Sequence, residues 1–196
     1  MGGLHKNKES LDEALNAYQE ALKINQRLVE QLETHKSSRA LSFSYNQIGD
    51  IYLDKGLSDD ALNAYILALK IDRQIVQEVA TPQYLLGLSV SLDRVGDLYS
   101  AVGLLKEALK IYQESLEIRR HLRDELATLD SFRCLSVSLS KNGDIYRNQK
   151  LFDDAFLAYQ ESFKLAQHVF GQSPSFESLQ EVMYCSNKLY GNQTSM

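Results

Sequence analysis

Leu85, Leu88, Leu92, Val95 and Tyr99 alternate three and four residues apart, the spacing that gathers apolar side chains on one face of a helix. Leu41, Tyr45, Ile48 and Tyr52 form the same stripe earlier in the chain, and Phe132, Leu135, Leu139 and Tyr146 form it later. A second stripe follows each after a short polar break: Ala61, Tyr65, Ala68 and Leu69, then Ala108, Tyr112 and Leu116. The pattern therefore predicts helix, tight turn, helix, written several times over.

The repeat is strict. Gly49, Gly96 and Gly143 stand 47 residues apart, as do Asp50, Asp97 and Asp144, and Tyr52, Tyr99 and Tyr146. Ala14, Ala61, Ala108 and Ala155 keep that interval, and so do Tyr18, Tyr65, Tyr112 and Tyr159. Self-similarity at a fixed period of this length is the mark of a solenoid, in which each unit covers the apolar face of its neighbour. The predicted fold is all-α, an α-solenoid of stacked antiparallel helix pairs with about eight helices. One array fills residues 1–196: a second helix of a partial unit at 10–36, full units at 37–80, 81–127 and 128–172, and the start of a further unit or a capping helix at 173–196.

Boundary residues agree with this division. Thr81-Pro82 and Ser173-Pro174 each offer a capping hydroxyl before proline, and Ser10 with Glu13 reads as a capping box. Ser58, Asp59 and Asp60 place acid at the positive end of a helix. Gly56 and Gly103 fall where a first helix must end in a left-handed residue; Lys150 takes that place in the third unit, at a cost of about 1 kcal/mol, which predicts the loosest turn.

The motif Tyr45-x-x-Ile48-Gly49-x-x-Tyr52 followed by Ala61-x-x-x-Tyr65 resembles the tetratricopeptide repeat, and the matching residues recur in the next two units. The usual proline after the second helix is replaced by Arg73, Arg120 and Gln167, so that helix continues and the period lengthens to 47, as in repeats similar to those of kinesin light chains and bacterial multidomain regulators. Gly49 with Ala61, Gly96 with Ala108 and Gly143 with Ala155 are read as close helix crossings.

The resemblance implies a concave groove lined by the first helices. Its columns would be Asn46, Asp93 and Ser140; Asp50, Asp97 and Asp144; and Leu53, Ser100 and Arg147. The Asp column would favour a basic protein or peptide segment. Arg94 and Lys141, three residues before Asp97 and Asp144, offer the plainer reading of ion pairs along one helix. Two-carboxylate clamps of related proteins need Lys and Asn where this chain has Asp50, Asp93, Asp97 and Ser140, with Asn46 the one agreement, so acidic tails are not the expected ligand.

Composition narrows the picture without changing it. A net charge of −5 opposes a general nucleic-acid binder, and no apolar run suits a membrane span. Two distant cysteines, Cys134 and Cys185, suit a reduced, cytoplasmic setting. His121 and His168 share a repeat position but are too far apart to hold one metal ion, and no cofactor motif occurs. Arg119, Arg120 and Arg123 form either an anion-binding patch or a solvated helix end, and Asn142 is either a buried amide with partners or, as preferred, a local weak point. The tyrosines are read chiefly as core. The expected function is a non-enzymatic scaffold that holds a protein segment in its groove, in a chain expected to be a piece of a larger regulatory protein; the alternative is a homo-oligomer stacked through incomplete terminal units.

Overall fold

The computed structural model describes residues 2–191, with side chains from Ser10 onward. Eight helices make up the described residues: α1 (Gly2–Leu32), α2 (His35–Asp54), α3 (Ser58–Glu78), α4 (Pro82–Ala101), α5 (Leu105–Leu126), α6 (Leu129–Asn148), α7 (Phe152–Gln172) and α8 (Phe176–Tyr190). Connections of two or three residues force successive helices to run antiparallel. The chain divides into two compact units, Met1–Leu98 and Tyr99–Met196. In the first, α1 packs on α2 and α2 on α3; in the second, α5 packs on α6, α6 on α7 and α7 on α8.

The turns inside the hairpins are alike because the same backbone bonds close them. Leu57, Leu104 and Leu151 each donate N–H to the carbonyl five residues earlier, that of Tyr52, Tyr99 or Tyr146, at 2.8–2.9 Å. Gly56 and Gly103 supply the left-handed residue at φ +76° and +80°, and Lys150 adopts it at +63° with the same bonds. The helix after each turn carries acid in its first turn, Asp59 and Asp60 in α3, Glu107 in α5 and Asp153 and Asp154 in α7, against its positive end.

Caps differ from expectation at two places. Ser10 lies inside α1 and starts no helix; α8 begins at Phe176 under Ser175, two residues beyond Ser173. The operating device is a box of two hydroxyls, Thr34 with Ser37, Thr128 with Ser131 and Ser175 with Ser178, in which each cap accepts from one N–H and the serine accepts from the cap's own. Thr81, in the same register, accepts from the Tyr84 N–H at 3.4 Å. Arg73, Arg120 and Gln167 lie within α3, α5 and α7, which run on for 21 or 22 residues.

Small residues set the spacing, with one correction to the expected pairing. A Cβ on Gly143 would stand 2.6 Å from the Tyr159 ring, and one on Gly49 would stand 2.6 Å from Tyr65 Cδ1. The glycines thus receive the tyrosine four residues past the alanine, while Ala61 and Ala155 are buried beside it at 0% and 3% exposure.

Candidate functional site

The repeated tyrosine and aspartate form a joint between successive first helices. In the first unit Tyr65 Oη donates to Asp50 Oδ1 at 2.7 Å, and Arg94 of α4 forks onto both Asp50 oxygens at 2.9 and 2.7 Å. The guanidinium lies 6.0 Å from the Tyr65 ring centre. In the second unit Tyr159 Oη donates to Asp144 at 2.6 Å, and Lys188 of α8 reaches both Asp144 oxygens at 2.7 Å. Each cation comes from the next first helix, and Arg147 adds a contact to Asp144 at 3.4 Å. Burial and the adjoining carboxylate hold both phenols far above their ordinary pKa, and the Asp50 bond raises that of Arg94.

Beneath this joint the two units differ. Asp72 of α3 is fully buried. Its Oδ2 accepts from Ser91 at 2.6 Å, Ser91 accepts from Asn46 Nδ2 at 2.8 Å, and Arg39 stands 3.9 Å from Oδ1. Arg39 fits because Gly87 is bare: a Cβ there would fall 2.6 Å from its guanidinium carbon. Desolvation raises the Asp72 pKa. In the second unit Ser140 and Ser136 meet Ser162 at 2.8 and 3.0 Å, with Cys185 Sγ 3.3 Å from Ser162 Oγ. The arginine there, Arg133, meets Glu181 of α8 at 2.7 Å.

Of the nine groove residues read from the sequence, Asn46, Asp93 and Ser140 are buried at 4%, 7% and 3% exposure, where Asn46 and Ser140 join helices instead of facing solvent. Asp50 and Asp144 are half-buried in the joints just described. Asp97 and Leu53 are exposed, and Ser100 and Arg147 half-buried. The open face of the first helices lies one turn earlier. Phe43 on α2 and Val90 on α4 occupy it in the first unit, Val137 on α6 and Tyr184 on α8 in the second, all at the 47-residue spacing. Phe43, Val137 and Tyr184 are 53%, 46% and 53% exposed. Val137 and Tyr184 line a cleft of about 410 Å³ between α6 and α8, flanked by Lys141 and Glu177 and floored by Ser140 and Cys185.

That column was legible as a periodic apolar position outside the core stripe. Equally legible were the paired serines Ser42 and Ser44, Ser89 and Ser91, Ser136 and Ser138, all buried and all 47 apart. Asn142, expected as a weak point, is fully buried and donates to the carbonyls of Tyr112 and Ser138 at 3.2 and 2.9 Å. The arginine cluster divides: Arg119 is buried and donates to the Cys134 carbonyl at 3.0 Å, while Arg120 pairs with Glu161 at 2.6 Å on the surface and Arg123 meets the exposed Asp124 at 2.6 Å. His121 meets Glu125 at 3.5 Å, and the His168 ring lies 4.7 Å from that of Phe132, tilted by 46°.

The sequence matches one tetratricopeptide-repeat family model over residues 1–27 and 44–75 and a second over 88–123. No curated protein matches it. Among solved structures it is similar to BtubC (BKLC) from P. vanneervenii, at 15% identity and a TM-score of 0.60 over 93% of this chain and 74% of that one. It is also aligned with MamA, at 16% identity and 0.48 over 99% and 97%, and with the nearly identical TPR-like repeats of a kinesin light chain-type protein of P. anserina, at 16% and 0.42 over 95% and 96%. At these identities the likeness concerns the fold alone, and the BtubC match carries it.

Proposed function

We propose that the chain, whose sequence matches tetratricopeptide-repeat models over residues 1–27, 44–75 and 88–123, is a protein-interaction scaffold that takes a protein segment on the open face of its first helices. The observation that carries this reading is the cleft between α6 and α8, where Val137 and Tyr184 remain about half exposed in repeat register. A monomeric fold leaves large apolar side chains singly on its surface without consequence; a periodic column beside a cleft is a contact surface.

The joints change the expected chemistry of the partner. Asp50 and Asp144 already face Arg94 and Lys188, so they offer a basic segment little net charge. Affinity comes first from apolar contact at Phe43 and Val90 or at Val137 and Tyr184, with Leu53, Asp97, Ser100 and Arg147 as flanking contacts. A non-enzymatic role fits the same picture: the buried groups with shifted pKa, Asp72, Tyr65 and Tyr159, are held between helices and not in an open cleft.

The test is a random peptide library displayed against the purified chain. Selected peptides should lose at least about tenfold in affinity on Val137→Glu or Tyr184→Glu, because a contact at the centre of an interface carries most of its energy. Leu157→Glu, on the outer side of α7 at 61% exposure, should leave affinity unchanged. Peptides insensitive to both cleft substitutions and to Phe43→Glu would overturn the reading.

A further inference from the structure

The helix α7 displays what a second helix does for the first helix before it. Leu165 packs with Leu135 and Leu139 and is 9% exposed, and Ser162 meets Ser136. The helix α1 carries the same signature, Ala14, Tyr18 and Ala21 standing three periods before Ala155, Tyr159 and Ser162. Yet Ile24, three periods before Leu165, is 57% exposed, and Ala17 is exposed where its counterpart Ala64 is buried at 6%. Among the described residues α1 is a second helix whose first-helix side is open.

The helix α8 shows the opposite deficit. Leu179 and Met183 stand one period after Phe132 and Ser136, the positions that α7 covers in α6, and they are 41% and 57% exposed. Both open faces present apolar side chains, Ile24 on α1 and Leu179 and Met183 on α8. By the pairing of Ser136 with Ser162, Met183 falls opposite Ala21, a large side chain on a small one. Val182 and Ser186, one period after Leu135 and Leu139, fall opposite Ile24. Tyr190 stands where α6 has Gly143, so this crossing is wider than those within the chain; its ring leans on Phe163 edge-on at 6.1 Å.

We propose that α8 of one copy packs against α1 of a second copy, completing between molecules the helix pair that α6 and α7 form within one. The contact uses two different faces, so it repeats from copy to copy until a ring closes or an open chain grows. It involves neither Val137 nor the cleft and stands independently of peptide binding.

Sedimentation of the chain over a hundredfold range of concentration should show mass rising beyond that of one copy. Ile24→Asp removes one face and Met183→Asp the other; both sites are more than half exposed, so circular dichroism should match the parent. Each variant alone should remain monomeric. Mixed in equal amounts they should form a dimer, because each still carries the face its partner lacks. A parent that stays monomeric throughout overturns the proposal and leaves both faces to another polypeptide segment. So does an Ile24→Asp variant that associates like the parent, which would mean α8 pairing with α8, or a mixture that stays monomeric. Val137→Glu should leave self-association unchanged, whatever it does to peptide binding.

Discussion

Asp72 is the residue whose chemistry departs most from its type. A buried carboxylate is costly unless fully paired, and here Oδ1 has no hydrogen bond while Arg39 stops at 3.9 Å. Burial therefore raises its folded-state pKa above the ordinary value of 3.8. In the unfolded chain the group ionises near that value, so the folded form is favoured most below it. Stability then falls as pH rises from about 3.8 to the raised folded pKa and levels off above it. The variant Asp72→Asn keeps an acceptor for Ser91 and cannot ionise. Urea titrations at several pH values should show it gaining on the parent through this window and keeping a constant lead above it. A difference that stays flat across this whole range would mean that folding leaves the ionisation of Asp72 unshifted. Only the packing of α3 against α2 and α4 makes this residue unusual; in sequence it is one aspartate among many, set in an otherwise apolar stripe.

At the scale of the helix pair, the crossing of glycine and tyrosine governs. Gly143→Ala gains up to about 1 kcal/mol of helix propensity and meets an overpacking cost of about 1–3 kcal/mol, since its Cβ would stand 2.6 Å from Tyr159. Gly171, near the end of α7, has nothing within 4 Å of an added Cβ. Thermal melts should therefore move in opposite directions, down for Gly143→Ala and up for Gly171→Ala. The glycines and tyrosines were visible as a period, but their pairing was not. Periodicity names the helices that meet; it does not say which residue of one rests on which of the other, because that depends on crossing angle and on where each helix starts. The hydroxyl caps illustrate the second point, since Thr34, Thr128 and Ser175 set helix starts that a search for the usual acidic partner passes over.

At the scale of the whole molecule, stability is local. A solenoid repeat depends on its immediate neighbours, so a change should be felt one helix pair away and little further. Lys188 holds α8 to α6 through Asp144, an ion pair with side chains 21% and 30% exposed. In Lys188→Ala, hydrogen exchange should quicken in α8 while α2 and α3 exchange as in the parent. Equal acceleration in α2 and α3 would show that the chain unfolds as one cooperative body.

The sequence by itself determined the all-α repeat architecture, the helix–turn–helix unit, the period of 47 and the left-handed turns, because hydrophobic period and turn chemistry act between residues near in sequence. The same local logic exposed a column of aspartates. Only the tertiary structure decided what that column does. Asp50 and Asp144 take their cations, Arg94 and Lys188, from 44 residues onward, across two intervening turns and a helix. Asn46 and Ser140 are drawn inside by bonds to Ser91 and Ser162, and the open apolar face is left one turn earlier, at Phe43 and Val137. A helix presents several faces at the same period, and the one that stays in contact with solvent is chosen by the neighbours that cover the others.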